Sequence, residues 1–211
     1  SVQMWYQCYS GSGTIDNVYI YSNIFKYWRE NCIATESRTL KSMYIYNNTF
    51  YENNTAPSKL GYTYGIYSDS DNSNLKINVR NNIFYSTLSN DSNGSGSFIT
   101  LYGISTSHYS CDYNLYYRLS NSLRILLVNG TGYYMNTISS LRSATGWEIN
   151  SPVPSNPLFV SSADLHLQAG SPAIGKGIAL PEITVDYEGK PFANPPDIGC
   201  FASTEKSGEI V

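Results

Sequence analysis

One pattern recurs four times along the first half of the chain: Val18-Tyr-Ile-Tyr-Ser-Asn23-Ile-Phe25, Met43-Tyr-Ile-Tyr-Asn-Asn48-Thr-Phe50, Ile77-Asn-Val-Arg-Asn-Asn82-Ile-Phe84 and Tyr109-Ser-Cys-Asp-Tyr-Asn114-Leu-Tyr116. In each, apolar residues occupy alternate positions, an Asn follows, and a short apolar step comes after it. Alternation at a period of two describes a strand with one buried face. An Asn at one fixed place after each strand predicts a turn whose side-chain amide bonds to backbone, repeated from copy to copy. Successive copies of this Asn stand 25, 34 and 32 residues apart. A period in that range, with strands and no helices inside it, indicates a solenoid, in which a repeat buries its apolar face by stacking on its neighbours.

A second set of positions supports the same reading. Cys8-Tyr9, Cys32-Ile33, Gly65-Ile66 and Gly103-Ile104 each precede one of the Asn residues and start another short strand of the same coil. Between an Asn and the next strand start the spacing varies, which places long insertions at Asn54–Tyr64 and Thr87–Tyr102 on one edge. Loops that grow on one edge of a regular scaffold are where a binding surface usually lies.

Composition agrees with an all-β chain. Tyr accounts for 20 of 211 residues, beside abundant Asn and Ser and few helix formers. A net charge of −3 with 14% charged residues gives no basic footprint for nucleic acid. The longest aliphatic run, Ile125-Leu-Leu-Val128, is far too short for a membrane span. An apolar content of 41% suffices for one well-buried domain. The first residues are neither Met nor a basic-then-apolar leader, so the expectation is an excised or mature segment. Cys8, Cys32, Cys111 and Cys200 are scattered without metal-ligand spacing; a disulfide and buried free thiols are both open to them.

The repeats end near Tyr117. Asn136–Gly146 has an N-cap candidate in Asn136, apolar residues at Ile138, Leu141 and Ala144, and a terminal Gly, which predicts one short amphipathic helix. Asn156–Val160 and Asp164–Gln168 alternate again, and a turn-rich segment from Ser171 to Cys200 suits a cap over an open solenoid end. The expected organisation is β-helix coils over 1–117, then last coils, short helix and C-terminal cap of the same domain over 118–202, and a flexible tail over 203–211.

Asp112-Tyr-Asn-Leu-Tyr-Tyr117, the helix ending Ala144-Thr-Gly146, Asn156-Pro-Leu-Phe159, Leu165-His-Leu167, Gly170-Ser-Pro-Ala-Ile174 and Pro196-Asp-Ile-Gly199 together resemble the C-terminal part of secreted bacterial right-handed parallel β-helix proteins of the pectate-lyase-like superfamily. The resemblance implies a right-handed parallel β-helix with one short helix and a C-terminal cap, a secreted or cell-surface location, and a chain that lacks N-terminal coils. It further implies lyase-like processing of an acidic polysaccharide, with relatives acting on alginate and chondroitin-type glycans. The Asn-Thr-Asp, Asp-Asp and Gly-His-Gly motifs of a polygalacturonase-type hydrolase are missing. Fold likeness does not carry activity, so a non-catalytic carbohydrate-binding or bacterial cell-surface module stands beside the enzyme reading. In either case the expected partner is a polysaccharide or oligosaccharide, met by a monomer.

Candidate chemistry follows from the second strand register. Glu36 and Asp69 each lie four residues after a strand start, so they stack in neighbouring coils about 4.8 Å apart. Ser107 and His108 fall near the same column. Two carboxylates that close raise one pKa or take a cation between them, giving an acid/nucleophile pair or a Ca²⁺ site; divergence into solvent is the plainer alternative. Arg38 stacks against Asp71 as an exposed ion pair, or faces an acidic substrate. β-Elimination needs a base for the C5 proton and a cation for the developing charge, and Arg29, Arg38, Lys41, Arg80, His108 and the tyrosines offer members. Tyr19, Tyr21, Tyr44 and Tyr46 alternate with aliphatics and are expected outside as an aromatic ladder whose flat surface also suits sugar rings. Tyr62, Tyr64, Tyr67 and Tyr102, in or beside the variable loops, are the expected substrate contacts.

Overall fold

A computed structural model describes residues 4–6, 14–26, 28, 31–35, 39–53, 64–69, 72, 74–88, 96–103, 105–120 and 124–203. The strands come in triplets. β1 (Met4–Tyr6), β2 (Ile15–Tyr21) and β3 (Ile24–Lys26) form the first, and β4 (Asn31–Thr35), β5 (Leu40–Tyr46) and β6 (Thr49–Glu52) the second. The third holds β7 (Tyr64–Asp69), β8 (Lys76–Arg80) and β9 (Ile83–Ser86), and the fourth β10 (Ser97–Tyr102), β11 (Tyr109–Asp112) and β12 (Leu115–Arg118). Each strand pairs in parallel with its counterpart in the next triplet, which builds three sheets. The first sheet extends through β13 (Arg124–Val128), parallel to β10, and closes with the antiparallel β14 (Thr131–Tyr134). Parallel pairing therefore runs one strand past Tyr117, where the sequence repeat fades.

The repeated Asn holds the corner between the second and third sheets. The Nδ2 groups of Asn48, Asn82 and Asn114 donate to the carbonyls of Ile20, Ile45 and Val79 in the preceding triplets, at 2.8, 2.8 and 2.9 Å. They also reach forward: Asn23 to Asn48 Oδ1, Asn48 to Asn82 Oδ1 and Asn82 to Asn114 Oδ1, at 3.1, 3.0 and 3.1 Å. Each of those oxygens also takes the backbone N–H of the Asn before it. The residue ahead of each ladder Asn has positive φ (Ser22 50°, Asn47 50°, Asn81 56°, Tyr113 59°), which lets the chain turn sharply. A buried amide that satisfies both its donors and its acceptor costs little to bury and fixes register.

The ladder ends on different chemistry. Asn114 Nδ2 donates to Glu148 Oε1 at 3.1 Å, and the Asn114 N–H goes to Ser151 Oγ at 2.8 Å. Tyr116 Oη donates to Glu148 Oε1 at 2.7 Å and Ser151 Oγ donates to Glu148 Oε2. Glu148 and Ser151 together thus occupy the place of a fifth Asn. Burial raises the Glu148 carboxyl to about 7, against the three hydrogen bonds that lower it.

Rings fill much of the interior. Phe25, Phe50, Phe84 and Tyr116 stack along the third sheet, with centroids 4.8, 4.7 and 5.3 Å apart and planes within 13°. Flat rings repeat at nearly the strand spacing, so a parallel sheet stacks them without gaps. Gly65 makes room for them. A Cβ there would meet the Phe98 carbonyl at 2.8 Å and come within 3.7 Å of the Phe50 and Phe84 rings.

The helix α1 spans Ile138–Thr145 after a single 3₁₀ turn at Met135–Thr137, and Gly146 closes it with φ 74°. Its N-cap differs from expectation: Thr137, not Asn136, holds that position, and it makes no side-chain bond to the helix, its Oγ1 instead accepting the Tyr134 N–H of the 3₁₀ turn at 2.9 Å. Ile138 and Leu141 are buried, whereas Ala144 is exposed because the helix touches the sheet along a narrow stripe. Asn156–Val160 and Asp164–Gln168 meet through one antiparallel bridge, Phe159 to Leu167, rather than a full strand pair. Asn81 and Asn47 tie the C-terminal segment to the corner through Ile178, Asp197 and Gly199. Cys32 is buried, Cys111 and Cys200 are buried free thiols, and burial holds the Cys111 and Cys200 thiols well protonated.

Candidate functional site

The register of the first sheet corrects one expected column. Ile66 pairs with Ile33 and with Ile99, so Phe98, not Gly103, stands in line with Cys32 and Gly65. Ile33 likewise pairs with Met4, in the first strand Met4–Tyr6, while Cys8-Tyr9 and Ile104 lie outside the described residues. Asp69 consequently lies beside Tyr102, and Ser107 and His108 leave its column for a 3₁₀ turn at Thr106–His108. Thr87–Tyr102 is likewise a shorter insertion than expected, since its last six residues are β10. Glu36, Arg38, Asp71 and Tyr62 lie outside the described residues. Tyr64 and Tyr67 do come together, stacked at 5.2 Å, and Tyr67 Oη donates to Asp69 Oδ2 at 3.2 Å. Among the described residues no cluster of three His, Cys, Asp or Glu side chains could hold a metal ion, and the Ca²⁺ expected at Glu36 and Asp69 depends on a residue outside that set.

A richer surface lies on the second sheet. Alternation turns Ile20, Ile45, Val79 and Cys111 inward, and the residues between them face away from the core. Three columns result: Asn17, Ser42 and Lys76; then Tyr19, Tyr44, Asn78 and Ser110; then Tyr21, Tyr46, Arg80 and Asp112. Tyr19 stacks on Tyr44 at 4.6 Å and 15°, and Tyr44 meets Tyr46 at 5.7 Å. β2 is the edge strand, so Tyr19 and Tyr21 keep 42% and 45% of their surface exposed. Tyr46 departs from the expectation that all four tyrosines are open. It is buried beside the C-terminal segment, and burial raises its phenol to about 12 despite the Arg80 charge.

Arg80 is the unusual group on this face. Its Nη2 makes a long 3.5 Å bond to Ser110 Oγ, while its Nε is buried with no hydrogen-bond partner. The neighbouring carboxylate is engaged elsewhere: Asp112 accepts from Tyr113 N, Asn150 N and Asn150 Nδ2 at 2.9, 2.9 and 2.7 Å. A guanidinium beside aromatic rings, with its nearest carboxylate bonded elsewhere, is suited to a planar oxyanion. At the other end of the face a hollow of about 500 Å³ is lined by Thr14, Thr39, Ser42, Asn72, Lys41 and Lys76. Lys41 is held by exposed Asp16 at 2.5 Å, a pair of small energetic weight. His108 immediately precedes Tyr109, the partner of Ile77, and so stands at the Lys76 end; its Nδ1 is buried without a hydrogen bond.

Sequence reasoning named Arg80 and Lys41 only as members of a pool and did not single out Lys76 or Asn78. The signal was present, because the alternation that places Tyr44 and Tyr46 outside places Asn78 and Arg80 beside them. No helix among the described residues is long and apolar enough to cross a membrane. No protein-family model, curated protein or solved structure matches the chain.

Proposed function

We propose that the chain is a right-handed parallel β-helix, an extracytoplasmic module that binds an acidic polysaccharide along the outer face of its second sheet. The solenoid part of this reading rests on the strand triplets and the amide ladder that joins them. The binding part rests on one observation above all: the half-buried Arg80 stands in the column of Tyr46, on the face that carries the Tyr19–Tyr44 stack, and its guanidinium makes one long bond there, Nη2 to Ser110 Oγ. Sugar rings lie against exposed aromatic faces, and a uronate carboxylate matches a guanidinium fork. Lys76 lies four residues from Arg80 on the same strand face, about 13 Å along the strand, so an extended chain reaches both.

Cleavage is a second reading, with His108 in its favour. It stands half-buried at the Lys76 end of this face, and a neutral imidazole can take the C5 proton of a uronide. Tyr46 cannot serve as that base near neutral pH, since its phenol stays protonated.

Calorimetric titration with alginate, pectate and chondroitin oligosaccharides tests binding, while ultraviolet absorbance follows unsaturated products. Affinity for an acidic oligosaccharide that drops at least tenfold in Arg80→Ala and weakens with salt supports the reading. Unchanged affinity in Arg80→Ala removes it, and unsaturated product that vanishes in His108→Ala moves the chain to the lyases.

A further inference from the structure

We infer that the third sheet carries a separate binding site for an uncharged sugar. A groove of about 380 Å³ runs between Tyr51 and Tyr85 on the sheet and the segment Asn156–Gln168 beside it. That volume is in the range of small-ligand pockets. None of its lining residues is charged, and the one cation beside it among the described residues, Lys26 Nζ, is already engaged by the Ser162 carbonyl at 3.2 Å and lies 5.4 Å from the Tyr51 ring centroid. Tyr51 and Tyr85 stack at 4.9 Å and 5°, and Phe159 meets both edge-on at 5.8 and 5.5 Å, making an apolar floor and corner. The faces of the Tyr85 ring are covered by Tyr51 and Tyr117, so a ligand meets ring edges and Phe159 here rather than an open face.

The wall is preorganised. Asn156 Oδ1 accepts the Leu158 N–H at 3.0 Å, and Gln168 Nε2 donates to the Phe159 carbonyl at 2.8 Å. Backbone bonds from Val160 to His166 and from Gln168 to Leu158, both 2.9 Å, lock the segment further. Each amide is thereby half used. The Asn156 Nδ2 donors and the Gln168 Oε1 acceptor remain for a ligand's hydroxyls, a mixed donor and acceptor set that suits a polyol and not an ion.

Leu158 supplies the independent observation. It has φ 55°, a conformation costly for a branched aliphatic side chain, and it is 39% exposed. Burial does not offset that cost, and Gly or Asn would fit the turn better. An exposed aliphatic group held in strain on the rim of a groove is explained by contact with a ligand. The inference does not depend on acidic polysaccharide binding at the second sheet.

The test is an NMR titration of ¹⁵N-labelled protein with cellotriose, xylotriose and maltotriose, on wild type, Leu158→Gly and Arg80→Ala. One of these sugars should bind in the millimolar range and shift resonances of 156–168. Leu158→Gly should bind at least fivefold more weakly while melting at the same or a higher temperature. Arg80→Ala should bind as wild type does. Absence of binding by all three sugars, wild-type affinity in Leu158→Gly, or loss in Arg80→Ala alone would overturn the assignment.

Discussion

The outer faces of the second and third sheets are built by the same repeat and end in opposite chemistry. Both stack tyrosines in register: Tyr19 on Tyr44 in one, and Tyr51, Tyr85 and Tyr117 in the other. On the second sheet the stack stops at an edge strand, and Arg80 and Lys76 share its face, with no ion pair to either among the described residues. On the third, Phe159 and the 156–168 segment close over the stack, and Tyr51 is only 4% exposed. A repeat thus supplies columns of equivalent residues. What a column does depends on whether a later, non-repeating segment covers it.

The change with the largest expected effect strikes both faces together. Asn82 is fully buried at their shared corner, and Asn82→Ala strands the Asn48 N–H and the Ile45 carbonyl. A loss of about 4 kcal/mol is expected from chemical denaturation, because several buried groups lose partners at once. A loss under about 1 kcal/mol would show that the ladder does not hold the faces in register.

Next comes a change that separates the faces. Tyr51→Ala should cost about 3 kcal/mol, as removal of a buried ring does, while Tyr19→Ala should stay within about 0.5 kcal/mol and weaken acidic-glycan binding instead. Equal destabilisation by the two would erase the distinction between a covered and an open ladder.

Glu148 sharpens the comparison through pH, since it terminates the ladder common to both faces. Its folded pKa of about 7 lies above its ordinary value of 4.5. Its protonated form is therefore favoured by folding. The stability this contributes is full below about pH 4.5 and is lost as pH rises through about 7, on the order of 3 kcal/mol in all. Glu148→Gln, which imitates the protonated acid, should remain folded and flatten the denaturation midpoint between pH 5 and 8. A parallel pH profile in that variant would mean that the Glu148 charge is accommodated.

The smallest effect concerns the wall of the third-sheet groove. His166 bonds to Asp164 at 2.6 Å and Glu188 at 3.3 Å, and stacks on Phe201. Burial lowers its pKa, but the two carboxylates outweigh burial and raise it. The stabilisation is present below the unfolded value and fades as pH rises through the folded one. Asp164→Asn should bring the imidazole pKa down in an NMR titration with little change in melting temperature. An unmoved pKa would assign the shift to Glu188.

Much of this architecture was legible in residues 18–116. The alternation in Val18–Tyr21 and its copies defined strand faces, and the recurring Asn defined the corner, because both are local consequences of side-chain period and of an amide's donors and acceptor. The first sheet was read less well. Gly103-Ile104 looked like Gly65-Ile66, but a two-residue likeness carries no register, which is set by the hydrogen bonds of Ile66 with Ile33 and Ile99. The interior ring stack was hidden for a related reason, since Phe25, Phe50 and Phe84 say nothing singly about meeting at the strand spacing.

By itself, then, the sequence determined the mostly β character, the repeating corner and which residues could face out. Tertiary structure alone decided which of those residues are open, that Asp112 bonds Asn150 rather than Arg80, that Glu148 and Ser151 stand in for the next Asn, and that Leu158 is strained at a groove. The physical reason is range. Alternation and turn chemistry act over a few residues, whereas burial and pairing join Tyr51 to Phe159 and Asn81 to Ile178 across about a hundred.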